Sequence, residues 1–187
     1  MDQAMIIHPT SIPGVMVVGT VPFSDHRGAF ARLFCARMLA DIIGARQIVQ
    51  INHSRTNTQG AVRGMHFQHA PHAEMKLVRC LAGRVLDVAV DLRKSSPTFL
   101  SWHAEELSPD NANMLVVPEG CAHGFQVLDG PAELLYLHTA FYNKESEGGV
   151  RHDDPSLGIT WPLPVTDISQ RDLEHLLITK DFTGVSL

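Results

Sequence analysis

Residues 84–92 read RVLDVAVDL. Leu86, Val88, Val90 and Leu92 alternate with Asp87, Ala89 and Asp91, which is the two-residue period of a β-strand with one apolar face. Similar short runs lie on either side: KLVRCL (76–81), NMLVVP (113–118), GFQVL (124–128) and ELLYLHTAFY (133–142). Their aliphatic, aromatic and β-branched content is that of strands. Turn signals fall between them, at Ala82-Gly83, Ser95-Ser96-Pro97, Ser108-Pro109-Asp110, Pro118-Glu119-Gly120 and Asp129-Gly130-Pro131. Many short strands separated in this way predict an all-β sandwich or barrel, not alternating βαβ units. Two short helices are expected. ARMLADIIG (36–44) ends on a glycine stop. SQRDLEHLL (169–177) begins with a serine cap and puts Asp172 at the third helical position, close to a capping box.

The chain has 187 residues, 44% apolar and 19% charged, which fits a single globular domain spanning 1–187. A net charge of −5 with scattered Lys and Arg offers no footprint for nucleic acid. No apolar run approaches the roughly 20 residues of a membrane helix. The opening MDQAMIIHPTSIPG lacks a basic stretch followed by an apolar one, so no signal peptide is expected and the cytoplasm is the expected compartment. Cys35, Cys80 and Cys121 cannot all pair and form no C-x-x-C, which reads as buried, reduced thiols.

The chemistry concentrates in HFQHAPHAEMK (66–76), where His66, His69 and His72 recur every third residue. Gly60 followed after five residues by His66 matches the opening of the first cupin motif, and PEGCAH (118–123) matches part of the second. The chain therefore resembles a cupin, a double-sheet jelly roll. Metal-binding cupins need H-x-H followed by a nearby acid. Here Gln68 takes the second position and Glu74 comes late. An amide is a poor replacement for imidazole on a transition metal, so no catalytic metal is expected. His69 and His72 flank Pro71 in a turn-like stretch and keep no assigned role.

A proton-transfer site needs fewer parts: a base, a group that stabilises an enolate, and an acid. His66 can be the base, Lys76 the cation and Tyr136 the acid. Taken singly, each has a plainer reading: a structural histidine, an exposed strand-end lysine and a core tyrosine.

A longer set of motifs narrows this choice. FSDHRGAF, QINHS, GAVRGMHFQ, PHAEMKLVRCLAGRVLDVAVDLRKSSPTF, LVVPEGCAHGFQVL, LLYLHTAFY and EGGVRHDDPSLGITWP together resemble the dTDP-4-dehydrorhamnose 3,5-epimerase family over about residues 13–175. The resemblance implies a cupin jelly roll with a few short helices. It also implies a homodimer with strands or arms shared between subunits, and metal- and cofactor-free epimerisation beside a C4 ketone of a nucleotide-diphosphate 4-keto-6-deoxyhexose in deoxysugar biosynthesis. By the same resemblance His66 is the base and Asp172 its orienting carboxylate, with Asp87 the alternative on sequence alone. Lys76 stabilises the enolate, and Tyr136 is the acid on the opposite face of the sugar. Arg27, Gln50, Asn52, Arg63, His123, Glu147 and Arg171 match ligand-binding positions, and Tyr142 matches the residue that stacks on the base. The family usually has an aromatic and an acid where this chain has Ala29 and Arg32, which leaves the base and the sugar open. Single-centre inversion at C3 or C5, a sugar-nucleotide ketoisomerase and a silent sugar-binding cupin are the alternatives.

Overall fold

A computed structural model describes residues 5–187 of the chain. Its strands in chain order are β1 (Met5–Pro9), β2 (Met16–Thr20), β3 (Phe23–Asp25), β4 (Gly28–Phe30), β5 (Gln50–Thr56), β6 (Val62–Gln68), β7 (Lys76–Asp91), β8 (Trp102–Leu107), β9 (Met114–Val117), β10 (Cys121–His138) and β11 (Glu147–Gly149). The short helices are α1 (Ala40–Ile43) and α2 (Gln170–Leu173). Every pairing between these strands is antiparallel.

Runs that the turn signals would divide are joined. KLVRCL and RVLDVAVDL form the single strand β7, and GFQVL and most of ELLYLHTAFY lie within β10. Ala82-Gly83 and Asp129-Gly130-Pro131 do not end strands; they mark a shared corner where the β7–β10 register shifts. Gly83 has φ +72°, and a Cβ there would stand 2.5 Å from the Asp129 carbonyl oxygen, so only glycine fits this close crossing.

The corner divides the two long strands between two layers. Beyond it, Val85–Val90 pairs with β8, and the first half of β10 pairs with β6. Before it, Lys76–Arg79 pairs with β9, and the second half of β10 pairs with β5. This is a double-sheet jelly roll of cupin type. Between the layers Val78, Val85, Ala89, Leu115, Phe125 and Leu134 form one core. Leu77, Met114, Val116 and Leu137 point the other way and are covered by Leu39, Ile42 and Ile43 around α1. Val88, Val90 and Leu92 are covered by Leu157, Trp161, Ile178 and Phe182. Both faces of β7 are therefore buried, and the aspartates of RVLDVAVDL lie inside the protein, not in solvent.

Those aspartates require partners. Asp91 is fully buried and accepts hydrogen bonds from Arg93 Nε and Nη2, both at 2.8 Å, and from Thr98 Oγ1 at 2.7 Å. Burial would raise its pKa, but the bonds from Arg93, Ser96 and Thr98 outweigh burial and hold it at about 2. A depressed carboxylate pKa contributes stability that is complete above the unfolded value and is lost as pH falls through the folded one. Asp91→Asn should therefore lower stability by about 1–2 kcal/mol at neutral pH. The gap to the parent should narrow from about pH 4 towards pH 2 in urea unfolding; an unchanged gap would remove this account.

Both expected helices are shorter than their sequence patterns. Residues 36–39 are turn, with regular helix only over Ala40–Ile43. The second helix keeps its serine cap: Ser169 Oγ accepts from the Asp172 N–H at 3.1 Å. Cys80 and Cys121 are buried, and burial pushes their thiols up to about 11 and about 12, which makes them poor nucleophiles. Cys35 is only half-buried, a correction to the expectation of three buried thiols. Among the described residues no helix is long and apolar enough to cross a membrane.

Candidate active site

A cavity of about 870 Å³ lies between β5 and β6, which pair with the two halves of β10. Inward residues of β6 and β10 meet there because the register places His66 opposite His123. Of the residues assigned from sequence, all but Gln50 and Arg27 line this one space.

His66 Nε2 is 2.7 Å from Asp172 Oδ1, and Asp172 Oδ2 accepts the Gly64 N–H at 3.1 Å. Both carboxylate oxygens are thus directed at β6, so Asp172 does not complete the capping box that its position offers. Burial would raise the Asp172 pKa; the hydrogen bond and charge of His66, with the Gly64 N–H, reverse this and keep it well below the usual carboxylate range. A permanent carboxylate on Nε2 favours the tautomer with the proton there, which leaves Nδ1 as the basic lone pair. Asp87 does not compete for His66, because β10 lies between β7 and β6. Instead Asp87 Oδ1 is 2.8 Å from His123 Nε2, and burial raises the Asp87 pKa against the pull of His123.

Lys76 is 8% exposed, which excludes the strand-end surface reading. Its Nζ donates to the His66 carbonyl and to Glu74 Oε1, each at 3.2 Å. Glu74 Oε2 is 2.7 Å from His138 Nδ1, and Asn52 Nδ2 lies 3.3 Å from His138 Nε2. Asn52 Nδ2 can only donate there, so His138 carries its proton on Nδ1 and donates it in a hydrogen bond to Glu74. Burial opposes ionisation of Glu74, but His138 and Lys76 outweigh it and lower its pKa. The result is a continuous chain from Asn52 to the lysine ammonium.

Tyr136 stands on the second half of β10, with its hydroxyl 3.3 Å from Ser54 Oγ. Its ring is nearly parallel to His138 at 6.0 Å and edge-on to His123 at 5.9 Å. Burial raises the phenol pKa, so the proton stays on at neutral pH and is available for donation.

At the outer end of the cavity Arg171 Nη1 donates to Glu147 Oε1 at 3.0 Å, and Tyr142 Oη donates to Glu147 Oε2 at 3.1 Å. Arg171 Nη2 also lies 3.1 Å from His66 Nε2 and can only donate, so the Nε2-protonated form requires this guanidinium to turn away. Arg63 Nε donates to Thr56 Oγ1 at 2.9 Å. Gln50 supports this end without lining it: its Oε1 accepts the Tyr142 N–H at 3.1 Å, and its Nε2 donates to Asn52 Oδ1 at 3.3 Å. Arg27 sits apart. It lies in the β3–β4 hairpin, largely exposed and paired with Asp25. Arg32 is also outside the cavity, with Nη1 3.4 Å from Met38 Sδ. The charge exchange read at that position therefore does not touch the cavity of its own chain.

Gln68, in the place of a cupin ligand, has a structural use. Its Oε1 accepts the Asn143 N–H at 2.6 Å, and its Nε2 donates to the carbonyls of His72 (3.0 Å) and Phe141 (3.3 Å). An amide can accept one bond and donate two at once, whereas a neutral imidazole has a single donor and a single acceptor. His69 packs edge-on against Phe67 at 4.8 Å, and His72 Nε2 is 3.3 Å from Asn143 Nδ2; neither lines the cavity.

Glu74, His138, Ser54 and His175 were not assigned from sequence. His138 had a usable signal, since it is two residues from Tyr136 and so on the same face of a strand. The sequence offers Glu74 only as a late-placed metal ligand.

The family model for dTDP-4-dehydrorhamnose 3,5-epimerase matches residues 9–180. The chain belongs to this family. It is 43% identical to the dTDP-4-dehydrorhamnose 3,5-epimerase of Shigella flexneri over 170 residues, which are 90% of this chain and 93% of that one. A dTDP-6-deoxy-D-glucose-3,5-epimerase of Legionella pneumophila, solved with dTDP-4-keto-L-rhamnose, is 38% identical. It superposes with a TM-score of 0.88 over 93% of each chain. A 3′-monoepimerase of Streptomyces bikiniensis, solved with dTDP-quinovose, is 32% identical, with a TM-score of 0.85 over 91% of this chain and 86% of that one. The fold is thus shared by epimerases that invert two centres and by one that inverts a single centre.

Proposed function

We propose that the chain epimerises a dTDP-4-keto-6-deoxyhexose at C3 and C5, with His66 as base and Tyr136 as acid. The observation that carries this reading is the half-buried His66 held at 2.7 Å by the buried Asp172, in the same cavity as a protonated phenol and a lysine ammonium. The C4 ketone acidifies the hydrogens on both neighbouring carbons. His66 removes one of them through Nδ1, and the imidazolium that forms is stabilised by Asp172. Negative charge then moves to the C4 oxygen, where the Lys76 ammonium, oriented by Glu74, neutralises it. Tyr136 returns a proton from another wall of the cavity. Return to the opposite face inverts the carbon. None of these steps needs a metal or a redox group. Arg63 and Arg171 suit the diphosphate, because guanidinium offers a bidentate match to phosphate oxygens. Tyr142, more than half exposed at the cavity mouth, suits stacking on the base.

Arg27 points to a second copy of the chain. The β3–β4 hairpin leaves Phe23 50% and Phe30 68% exposed and carries Arg27 away from its own cavity. An arm of this kind fits a homodimer in which Arg27 serves the partner's nucleotide. Sedimentation should give twice the chain mass, and a monomer with full activity would remove that role for Arg27.

Incubation in heavy water with dTDP-4-keto-6-deoxyglucose tests the reaction. NMR should show deuterium entering at both C3 and C5. Uptake at one carbon only would identify a single-centre epimerase, and no uptake on this or related sugars would reject epimerisation.

A further inference from the structure

The three regularly spaced histidines of HFQHAPH do not form a metal cluster, yet one of them belongs to a different one. His66, Asp172 and His175 place a ring nitrogen each and a carboxylate oxygen within 4.8 Å of one another. His66 comes from β6, and the other two come from α2 and the residues just after it. The His175 ring stands edge-on to His66, with centroids 6.0 Å apart. Its Nε2 is buried and has no hydrogen-bond partner among the described residues. Such a nitrogen costs free energy unless something else uses it.

The space for this ring is specific. Gly149 is the strand partner of His66, and a Cβ at Gly149 would collide with His175 Nε2, Cε1 and Cδ2. The missing side chain at Gly149 therefore lets a second imidazole stand beside the first. Nothing in the proposed proton transfer uses His175.

We propose that His66, Asp172 and His175 form an inhibitory site for zinc or a similar borderline divalent cation. Two imidazoles and one carboxylate are a donor set for such ions, whereas magnesium and calcium prefer all-oxygen sites. Donors around a tetrahedral zinc stand about 3.4 Å apart at bond lengths of about 2.0–2.2 Å. To reach that spacing the widest pair must close and the His66–Asp172 contact, now 2.7 Å, must open, with a fourth position left to water. Arg171 stands against two of these ligands, with Nη2 3.1 Å from His66 Nε2 and Nε 3.6 Å from Asp172 Oδ1, so a cation enters as that exposed guanidinium swings away with Glu147, its other partner. Coordination takes His66 out of proton transfer, so occupancy and epimerisation are mutually exclusive. The inhibitory consequence rests on the epimerase reading; the binding does not.

Zinc titration by calorimetry and cobalt(II) absorption, followed by the deuterium-uptake assay, separates the two. Metal-free protein should take up one zinc equivalent with cobalt(II) bands of tetrahedral type, and uptake of deuterium should fall with zinc and return with EDTA. His175→Ala should keep metal-free exchange and need at least about tenfold more zinc for half inhibition. Gly149→Ala, which pushes His175 aside without changing a ligand, should do the same and serves if the first variant does not fold. Equal zinc sensitivity in the parent and both variants would overturn the site. Zinc binding that leaves exchange unchanged would overturn its inhibitory role. Loss of exchange in metal-free parent protein would reject the epimerase reading instead, while the calorimetry would still decide the site.

Discussion

His66→Ala should abolish deuterium uptake at both C3 and C5, a loss of about 10²–10⁴-fold or more in exchange rate. The expectation follows from the division of labour at the 2.7 Å contact with Asp172. Nε2 is committed to a carboxylate that stays ionised, so Nδ1 is the nitrogen able to take a proton. Alanine removes that acceptor and leaves the Asp172 carboxylate to the Gly64 N–H and to the Arg171 guanidinium, whose Nε is 3.6 Å from Oδ1. Asp172→Asn provides the graded comparison. The amide can still hold the ring but no longer stabilises the imidazolium, so exchange should fall steeply with little change in substrate affinity. The two effects should also not add, since the residues act as one unit. The measurement is the initial rate of deuterium incorporation by NMR, with circular dichroism to confirm folding. Persistent exchange at parental rate in His66→Ala would transfer the base role to another residue in the cavity, His123 first.

The pair was legible from sequence only in halves. His66 stood in a motif, and Asp172 sat at the third position of a capped helix. The cap pattern predicts that Asp172 turns back to Ser169, yet the folded chain directs both oxygens across to β6. Local pattern could not reveal this, because the competing partners are more than a hundred residues away in sequence. Alternation in RVLDVAVDL predicts a strand with one apolar face, and the strand is there, but alternation does not show that the aspartate face is covered as well. Asp87 and Asp91 proved fully buried because both layers of the jelly roll are packed on both sides. Gly83 and Gly130 read as turn residues, and they are, but of a bend within two long paired strands and not of strand ends. Gln68 was recognisable as a lost metal ligand. Its use as a clamp on the segment that carries Tyr142 depended on backbone groups that no motif marks. Glu74 and His138 escaped because each gains meaning only from the other.

Tyr136→Phe should separate exchange from inversion. The phenol, on the second half of β10, has its place in the cavity, and burial keeps its proton on at neutral pH. Phenylalanine preserves the ring and its contacts with His123 and His138, so the cavity should keep its shape. What disappears is the donor and its link to Ser54. His66 can still remove a proton and return one from solvent to the same face. Deuterium should therefore continue to enter the recovered substrate at a measurable rate, while formation of inverted product falls by about 10²-fold or more. A simple packing or binding role would predict a different pattern, with exchange and inversion falling together as affinity falls. Following both by NMR in one reaction distinguishes these outcomes, because isotope content and ring stereochemistry are read from the same spectra. Parental inversion in Tyr136→Phe would show that the proton arrives by another route. The nearest alternative is then Lys76, whose ammonium is held at 3.2 Å by Glu74 and would have to serve as both enolate partner and acid.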